Sequence, residues 1–192
     1  RPSRRAIVAA LRRARRSEVT TIAYRDHVFV ADSLATDTDG LKSECVKLYR
    51  FGHDRPSSKH PYTRARTDAI LGGAGRVDHI EILRRRIASR ADLADVSVPK
   101  LLRSWEFEKE DGDCELLIGV RVTDGPDTRV WVFERVGRIF EEITGRTHGH
   151  AIGSGREYAL GAMMAGADAA AAVQIASELD VHTNSRLQIE NL

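Results

Sequence analysis

The sequence predicts an α+β domain built from antiparallel hairpins and packed helices. Two regions, 20–36 and 115–134, each hold a pair of short runs rich in β-branched and aromatic residues around a polar turn, which is the pattern of a hairpin. Residues 77–87 are helical by their apolar spacing, and residues 156–179 by their many alanines. The chain of 192 residues, 42% of them hydrophobic, is long enough for one well-buried domain.

Composition restricts the setting in which this domain works. No apolar run approaches the roughly 18 to 20 residues that a membrane-spanning helix needs. The two cysteines, Cys45 and Cys114, lack C-x-x-C spacing, which favours inert thiols in a reducing cytosol. We therefore expect a cytoplasmic protein with no membrane site and, outside residues 1–19, no nucleic-acid site.

Residues 1–19 form a basic leader ahead of the domain at 20–192. The leader holds seven arginines and one glutamate, so it carries +6 and the remaining chain carries −4. Its apolar stretch is too short for a secretory signal. Two interpretations stay open: a propeptide cut between Val19 and Thr20, or an upstream extension. The second is allowed because valine can be encoded by GTG, a bacterial start codon, and removal of an initiating residue at 19 would expose Thr20.

The first hairpin carries the most distinctive pattern of the chain. The pair Thr20-Thr21 opens its first strand, Arg25-Asp26-His27 forms the turn, and the second strand ends at Asp32. The run Ala31-Asp32-Ser33-Leu34-Ala35-Thr36 closes the hairpin. A hairpin alone says nothing about function, so the order of these polar residues is the informative part.

Two strands and a helix are expected between the hairpins. The first strand, Val46–Phe51, contains Lys47, and residues 52–67 are predicted to be a long exposed loop insertion because they hold prolines, serines and many charges. Ala69–Gly75 is predicted to be a strand running into a glycine-rich turn, whose backbone amides are available as donors. The glycine spacing does not fit a dinucleotide or Walker loop, and the helix from Val77 follows.

The last part of the chain contains three polar motifs. After the second hairpin, Gly153-Ser154-Gly155 precedes the helical region, which Gly166 interrupts. Asp180 follows the helix, and Thr183-Asn184 comes three residues later. The alternating residues 187–192 predict a final strand.

In this order, the motifs resemble those of the proteasome β-type peptidases, including the bacterial HslV peptidase. The start at Thr20-Thr21, Lys47 at the head of a strand, the Gly-Ser-Gly turn before a small-residue helix, and Asp180 match the family, while Thr183-Asn184 and the ending match HslV. The chain departs from the family at Val19, where glycine is usual. The resemblance implies the N-terminal nucleophile hydrolase fold, a four-layer αββα sandwich of two antiparallel sheets with helices on both outer sides.

The resemblance also implies a role for each matched residue. Thr20 is the nucleophile and its own α-amino group is the base, so a peptide bond to Val19 removes that base. Lys47 lowers the pKa of this amine, and Asp32 holds Lys47 in place. The remaining assignments are Ser154 and Asp180 for ordering the amine and a water, the Gly72 amide for the oxyanion, Thr36 and Gly72 for substrate contact, and a sodium ion near the carbonyl of Thr183.

The implied function is that of a threonine endopeptidase in a self-compartmentalising ring protease. The implied partners are further copies in stacked hexameric or heptameric rings, an ATP-dependent unfoldase, and protein or peptide substrates. Two alternatives stay open. One is a non-catalytic ring subunit, against which the retained set of polar residues argues, and the other is a small-amide hydrolase or acyltransferase of the same fold.

Overall fold

The computed structural model describes the chain at residues 17–18, 20–36, 42–56, 64–88, 114–122, 128–134, 139–144 and 146–192. Its strands are β1 (Ser17–Glu18), β2 (Thr21–Arg25), β3 (Val28–Asp32), β4 (Leu34–Thr36), β5 (Lys42–Glu44), β6 (Leu48–Pro56), β7 (Arg64–Arg76), β8 (Cys114–Val122), β9 (Thr128–Glu134), β10 (Ile139–Glu142), β11 (His150–Gly153) and β12 (Leu187–Asn191). Its helices are α1 (Val77–Ala88), α2 (Arg156–Met164) and α3 (Ala169–Leu179).

Two antiparallel sheets organise the structure. The larger sheet has the order β1-β7-β8-β9-β10, with β6 also paired to β7, and the smaller has the order β11-β2-β3-β12. Since β8 occupies one edge of β7, the strands β1 and β6 share the other edge. β6 pairs with it as far as Gly72, and β1 pairs at Gly75 and Arg76. Strands β4 and β5 form a separate two-stranded ribbon.

The main core contains side chains from both sheets. Ile22 and Phe29 from the smaller sheet and Ile70 and Leu117 from the larger one belong to one cluster and have no exposed surface. The other face of the smaller sheet carries small side chains such as Ala23, which cluster with buried alanines of α2 and α3. Small residues on both sides let these helices approach the sheet closely, and this arrangement supports the strands that carry the site.

One described helix, α1, packs against the larger sheet, where Ile80 joins a cluster with Leu71, Leu116 and Trp131. The predicted four-layer αββα sandwich was wrong: the described residues form mostly antiparallel sheet, with three helices among them. The physical reason is that, within the described ranges, α1 alone does not make a helical layer over six strands.

The glycine-rich turn predicted after Ala69 was also wrong. Residues 64–76 form the single strand β7, and α1 begins directly at Val77. Packing explains the glycine at position 73, because a Cβ there would lie only 2.7 Å from Ile80 Cγ2. The glycines therefore make room for neighbouring side chains within a strand.

The prediction that residues 52–67 form one long loop was wrong at both ends of that range. β6 continues to Pro56 and β7 begins at Arg64, with the pairing running from Gly52 opposite Asp68 to Pro56 opposite Arg64. Residues 57–63 lie outside the described part of the chain. Ladder hydrogen bonds satisfy the peptide groups whatever the side chains are, so a polar composition did not prevent pairing here.

Other expected elements are confirmed. Both hairpins form, as β2–β3 and β8–β9, the helical region divides around Gly166, and β12 is the final strand. The sequence did not predict β11, which places Gly153 opposite Thr21 on β2. Among the described residues, no helix combines the length and the apolar character needed to cross a bilayer.

Candidate active site

Three of the predicted site residues, Thr20, Asp32 and Lys47, meet at one end of the smaller sheet. Thr20 directly precedes β2, Asp32 ends β3, and Lys47 directly precedes β6. Thr20 Oγ1 donates to Asp32 Oδ1 at 2.6 Å and accepts from Lys47 Nζ, which lies 3.2 Å from the same carboxylate oxygen. All three residues are at most 1% exposed. The hydroxyl is therefore held between an ammonium and a carboxylate, away from water.

The carboxylate of Asp32 is the hub of this cluster. Besides the two side chains above, its oxygens accept from the backbone N–H groups of Thr21 at 2.8 Å, Leu34 at 2.9 Å and Asn184 at 3.3 Å. Five donors to one buried carboxylate offset much of the cost of removing it from water. The same bonds tie the end of β3 to its neighbours, so Asp32 stabilises the fold as well as the site.

Lys47 is oriented by Gln188 on β12, a residue that the sequence did not single out. Gln188 Oε1 accepts from the N–H groups of Lys47 at 2.8 Å and Leu48 at 3.2 Å, and its Nε2 donates to the carbonyl of Cys45 at 2.8 Å. The Lys47 ammonium also donates to the carbonyl of Leu34. In the sequence, Gln188 is only a glutamine within the alternating final strand. That pattern indicates a partly exposed position and gives no sign of a contact with Lys47.

The turn at Gly153 holds the backbone of Thr20. The carbonyl oxygen of Thr20 accepts from the Ser154 N–H at 2.8 Å, and Ser154 Oγ lies 3.4 Å from the same oxygen. Gly153 has a φ of +91°, and a Cβ there would lie 1.9 Å from the Thr20 carbonyl oxygen. Both conformation and space therefore require glycine immediately before Ser154.

Ser154 and Asp180, which were expected to act together, are hydrogen bonded. Ser154 Oγ donates to Asp180 Oδ2 at 2.5 Å, Thr183 Oγ1 donates to the same oxygen at 2.7 Å, and the His182 N–H donates to Oδ1 at 3.1 Å. Burial raises the pKa of Asp180, but the hydrogen bonds from Ser154, Thr183 and His182 together outweigh it and hold that pKa below its ordinary value. Asp180 is thus an anion beside Ser154 at neutral pH.

Thr21, the second residue of the threonine pair, links two of the motifs. Its Oγ1 lies 2.7 Å from Thr183 Oγ1 and accepts from the Gly155 N–H at 3.1 Å. A Cβ on Gly155 would lie 2.2 Å from Thr21 Oγ1. The Gly-Ser-Gly and Thr-Asn motifs therefore both anchor the start of β2.

Gly72, the residue assigned to the oxyanion, lies within β7 and pairs with Leu48, the residue after Lys47. A Cβ on Gly72 would lie 3.0 Å from Leu48 Cδ2 and 3.1 Å from Ile22 Cγ2, so this position faces the core between the sheets. The part of β7 that approaches the Gly153 turn is at Ala74, whose Cβ would lie 3.4 Å from a Cβ on Gly153.

The other assigned positions concern substrate and metal. Thr36 lies on β4, and its hydroxyl is buried without a hydrogen-bond partner within the described ranges. Thr183 contributes its hydroxyl to the contacts with Asp180 and Thr21. In the part of the chain that the structure describes, no three His, Cys, Asp or Glu side chains are grouped so that they could hold a metal ion.

The arrangement around Thr20 fits an activated hydroxyl. An ammonium in contact with the oxygen favours negative charge on it as a proton leaves. In this chain Thr20 has no exposed surface, and its nitrogen is in a peptide bond with Val19, so its α-amino group is not free. Comparison of the chain with protein-family models and with curated proteins finds no match.

Proposed function

We propose that this chain is a threonine peptidase in which Thr20, once it is the first residue, attacks peptide bonds. The observation that carries the proposal is the contact of Thr20 Oγ1 with both Lys47 Nζ and Asp32 Oδ1 in a fully buried site. A buried ion pair is costly to desolvate, and apolar packing often stabilises a fold equally well. Placement of the pair on a hydroxyl therefore favours a chemical role in addition to a structural one.

Removal of residues 1–19 supplies the base that the reaction needs. A free α-amino group has an ordinary pKa of about 7.7 to 8.0, and the nearby Lys47 ammonium lowers the pKa of the Thr20 amine electrostatically. The amine takes the hydroxyl proton while Oγ1 bonds to the substrate carbonyl carbon. The substrate C–N bond then breaks, the leaving amine receives that proton, and an ester to Thr20 remains. Water hydrolyses the ester and restores Thr20, with Ser154 and Asp180 ordering the water.

An extended peptide suits the edge of β7 beside the site. β6 leaves this edge after Gly72, and β1 pairs with it at Gly75 and Arg76. Two residues after Glu18, the chain reaches Thr20. We infer that a peptide substrate adds as a strand at this edge once the leader is absent.

The wider part of the proposal comes from the resemblance to proteasome β-type and HslV peptidases. It comprises assembly into stacked rings, delivery of substrates by an ATP-dependent unfoldase, a sodium ion near the carbonyl of Thr183, and a cytoplasmic location. The second candidate function is a non-catalytic ring subunit, which the full burial of Thr20 favours. A small-amide hydrolase is the third, and a panel of peptide and small-amide substrates separates it from the first.

The test is the intact mass of the purified full chain before and after treatment with a peptide epoxyketone. This reagent requires both the hydroxyl and the free amine of an N-terminal threonine to form its ring adduct. We expect a mass that starts at Thr20, one adduct per chain, and no adduct in Thr20→Ala. Thr20→Ser is the matched control and is expected to form the adduct, because serine retains both reacting groups.

Two outcomes would count against a peptidase. An unlabelled chain that still begins at Arg1 would contradict the proposal and favour the non-catalytic subunit. A labelled chain that cleaves small amides and leaves peptides intact would favour the third candidate. Adduct formation that survives in Lys47→Met at an unchanged rate would contradict the role given to the ammonium.

A further inference from the structure

The carboxylate of Glu115 connects the two sheets beside the Thr20 site. Glu115 lies on β8 of the larger sheet, opposite Ala74 on β7. Its Oε2 accepts from the Gly153 N–H at 2.6 Å, and its Oε1 accepts from Arg156 Nη1 at 3.1 Å. Gly153 ends β11 and Arg156 begins α2. One side chain of the larger sheet therefore binds both ends of the turn that carries Ser154.

The turn is held by three successive N–H groups, each with its own acceptor. The Gly153 N–H donates to Glu115, the Ser154 N–H donates to the Thr20 carbonyl at 2.8 Å, and the Gly155 N–H donates to Thr21 Oγ1 at 3.1 Å. The last two acceptors belong to the strand that the turn positions. Glu115 is the acceptor from the opposite sheet, so it sets where the turn and the start of β2 lie relative to the larger sheet.

The ion pair with Arg156 does not by itself account for Glu115. Arg156 Nε also binds the carboxylate of Glu157 at 3.2 Å, so the guanidinium has a second anionic partner. The Glu115 side chain is 25% exposed and that of Glu157 is 77% exposed. A charged acceptor on a partly buried backbone N–H makes a stronger contact than an exposed ion pair. The bond to Gly153 is thus the contact that distinguishes Glu115.

We propose that Glu115 is a positioning residue for the Thr20 site. It fixes the Gly153-Ser154-Gly155 turn, and through this turn it fixes the Thr20 backbone and the Ser154 hydroxyl. Its effect on the reaction rests on the proposed peptidase function, whereas its anchoring of the turn does not. A displacement of about 1 Å at a reacting group lowers a rate by about 100-fold, so a loosened turn slows attack by Thr20 without removing any reacting atom.

The experiment compares Glu115→Ala, Glu115→Gln and Glu157→Gln in the full chain. Hydrogen exchange read by mass spectrometry on peptides covering residues 150–156 reports the turn, and the rate of epoxyketone labelling reports Thr20. For Glu115→Ala we expect exchange in this segment to rise on the order of tenfold and labelling to slow by about 10- to 100-fold. For Glu115→Gln we expect both the exchange rate and the labelling rate to stay within about threefold of those of the unsubstituted chain, because its amide oxygen still accepts from the Gly153 N–H. Glu157→Gln is the matched control and changes neither.

Each result decides one part of the proposal. Unchanged exchange in Glu115→Ala overturns it whatever the labelling rate, and faster exchange with an unchanged labelling rate overturns the link to Thr20. If the unsubstituted chain and every variant stay unlabelled, the peptidase function fails, while faster exchange in Glu115→Ala still supports the anchoring. Should Glu115→Ala fail to fold, Glu115→Asp replaces it, because it keeps the charge and withdraws the carboxylate by one methylene, with the same changes expected.

Discussion

The ion pairs of α1 and the ion pair of the candidate site show how little the distance between charges reveals about their importance. On α1, Glu81 binds Arg84 at 2.6 Å and Arg85 at 2.7 Å, with side chains that are 31%, 32% and 75% exposed. In the candidate site, Lys47 and Asp32 are 3.2 Å apart and neither side chain is exposed. Water and salt screen the charges on the helix far more than the buried pair. The longer contact is therefore the one whose loss matters more.

Asp32→Ala is expected to have the largest effect. It leaves the Lys47 ammonium buried without its counter-charge and removes the acceptor of three backbone N–H groups. We expect a loss of about 3 to 5 kcal/mol in the free energy of unfolding, which lowers Tm by about 6 to 20 °C. Thermal unfolding followed by circular dichroism measures this. The control, Glu81→Ala, is expected to cost about 1 kcal/mol or less. Equal changes in Tm for the two variants would contradict the greater importance of the buried pair.

Lys47→Met separates the stability of the cluster from its reactivity. Asp32 keeps four of its five donors in this variant, so we expect a loss of about 2 kcal/mol, smaller than for Asp32→Ala. Thr20 loses the cation at its hydroxyl, so epoxyketone labelling slows by at least about 100-fold. Urea unfolding and labelling on one preparation measure both. Destabilisation equal to that of Asp32→Ala would show that the ammonium, and not the backbone donors, dominates the cluster.

Asp180 lies between the two cases in burial, because it is half-buried and accepts three hydrogen bonds. Its pKa is lowered from 3.8, so the carboxylate stabilises the fold above pH 3.8 and loses this contribution as the pH falls through its lower pKa in the folded state. We expect Asp180→Asn to cost about 1 kcal/mol at neutral pH. Urea unfolding at a series of pH values measures the difference from the unsubstituted chain, and a difference that does not shrink below pH 3.8 contradicts this account.

Glu81→Gln is expected to have the smallest effect. Hydrogen bonds from Arg84 and Arg85 lower the pKa of Glu81 from 4.5 to about 2, so its contribution is present above pH 4.5 and is lost as the pH falls towards about 2. Because solvent reaches all three side chains, we expect less than about 0.5 kcal/mol at neutral pH, decreasing with added salt. Thermal unfolding at low and high salt checks this. A loss of unfolding free energy as large as that of Lys47→Met would show that burial does not determine how much each ion pair contributes to stability.

The sequence allowed part of the site to be predicted because part of it depends on local geometry. A hairpin brings the start of its first strand beside the end of its second, so Thr20 and Asp32 had to be neighbours once the hairpin was recognised. The contacts of Gln188 and Glu115 depend instead on how distant strands pair and on the register of that pairing. No local pattern encodes this register, so neither residue could be found from the sequence.

The fold divides in the same way. Local patterns predicted both hairpins and the helical regions, whereas they did not predict how helices are distributed over the two sheets. Gly72, Gly73 and Gly75 indicated a turn because glycine is common in turns, yet they lie within β7. There, side chains from elsewhere, such as Ile80 beside Gly73, occupy the space that a Cβ would fill. Packing between distant residues therefore explains these glycines, and the local pattern alone led to the wrong prediction of a turn.

The site combines residues that lie far apart in the sequence, and under the proposed function this bears on when Thr20 can become reactive. Thr20, Asp32 and Lys47 precede the turn at Ser154 and the amide of Gln188 in the chain, so they are synthesised before the groups that hold them. Contacts between such distant parts form slowly, because long loops must close first. A partly synthesised chain that ends before Ser154 therefore lacks the groups that orient Thr20 and Lys47. Under the proposed function, we expect such a nascent chain to be unreactive.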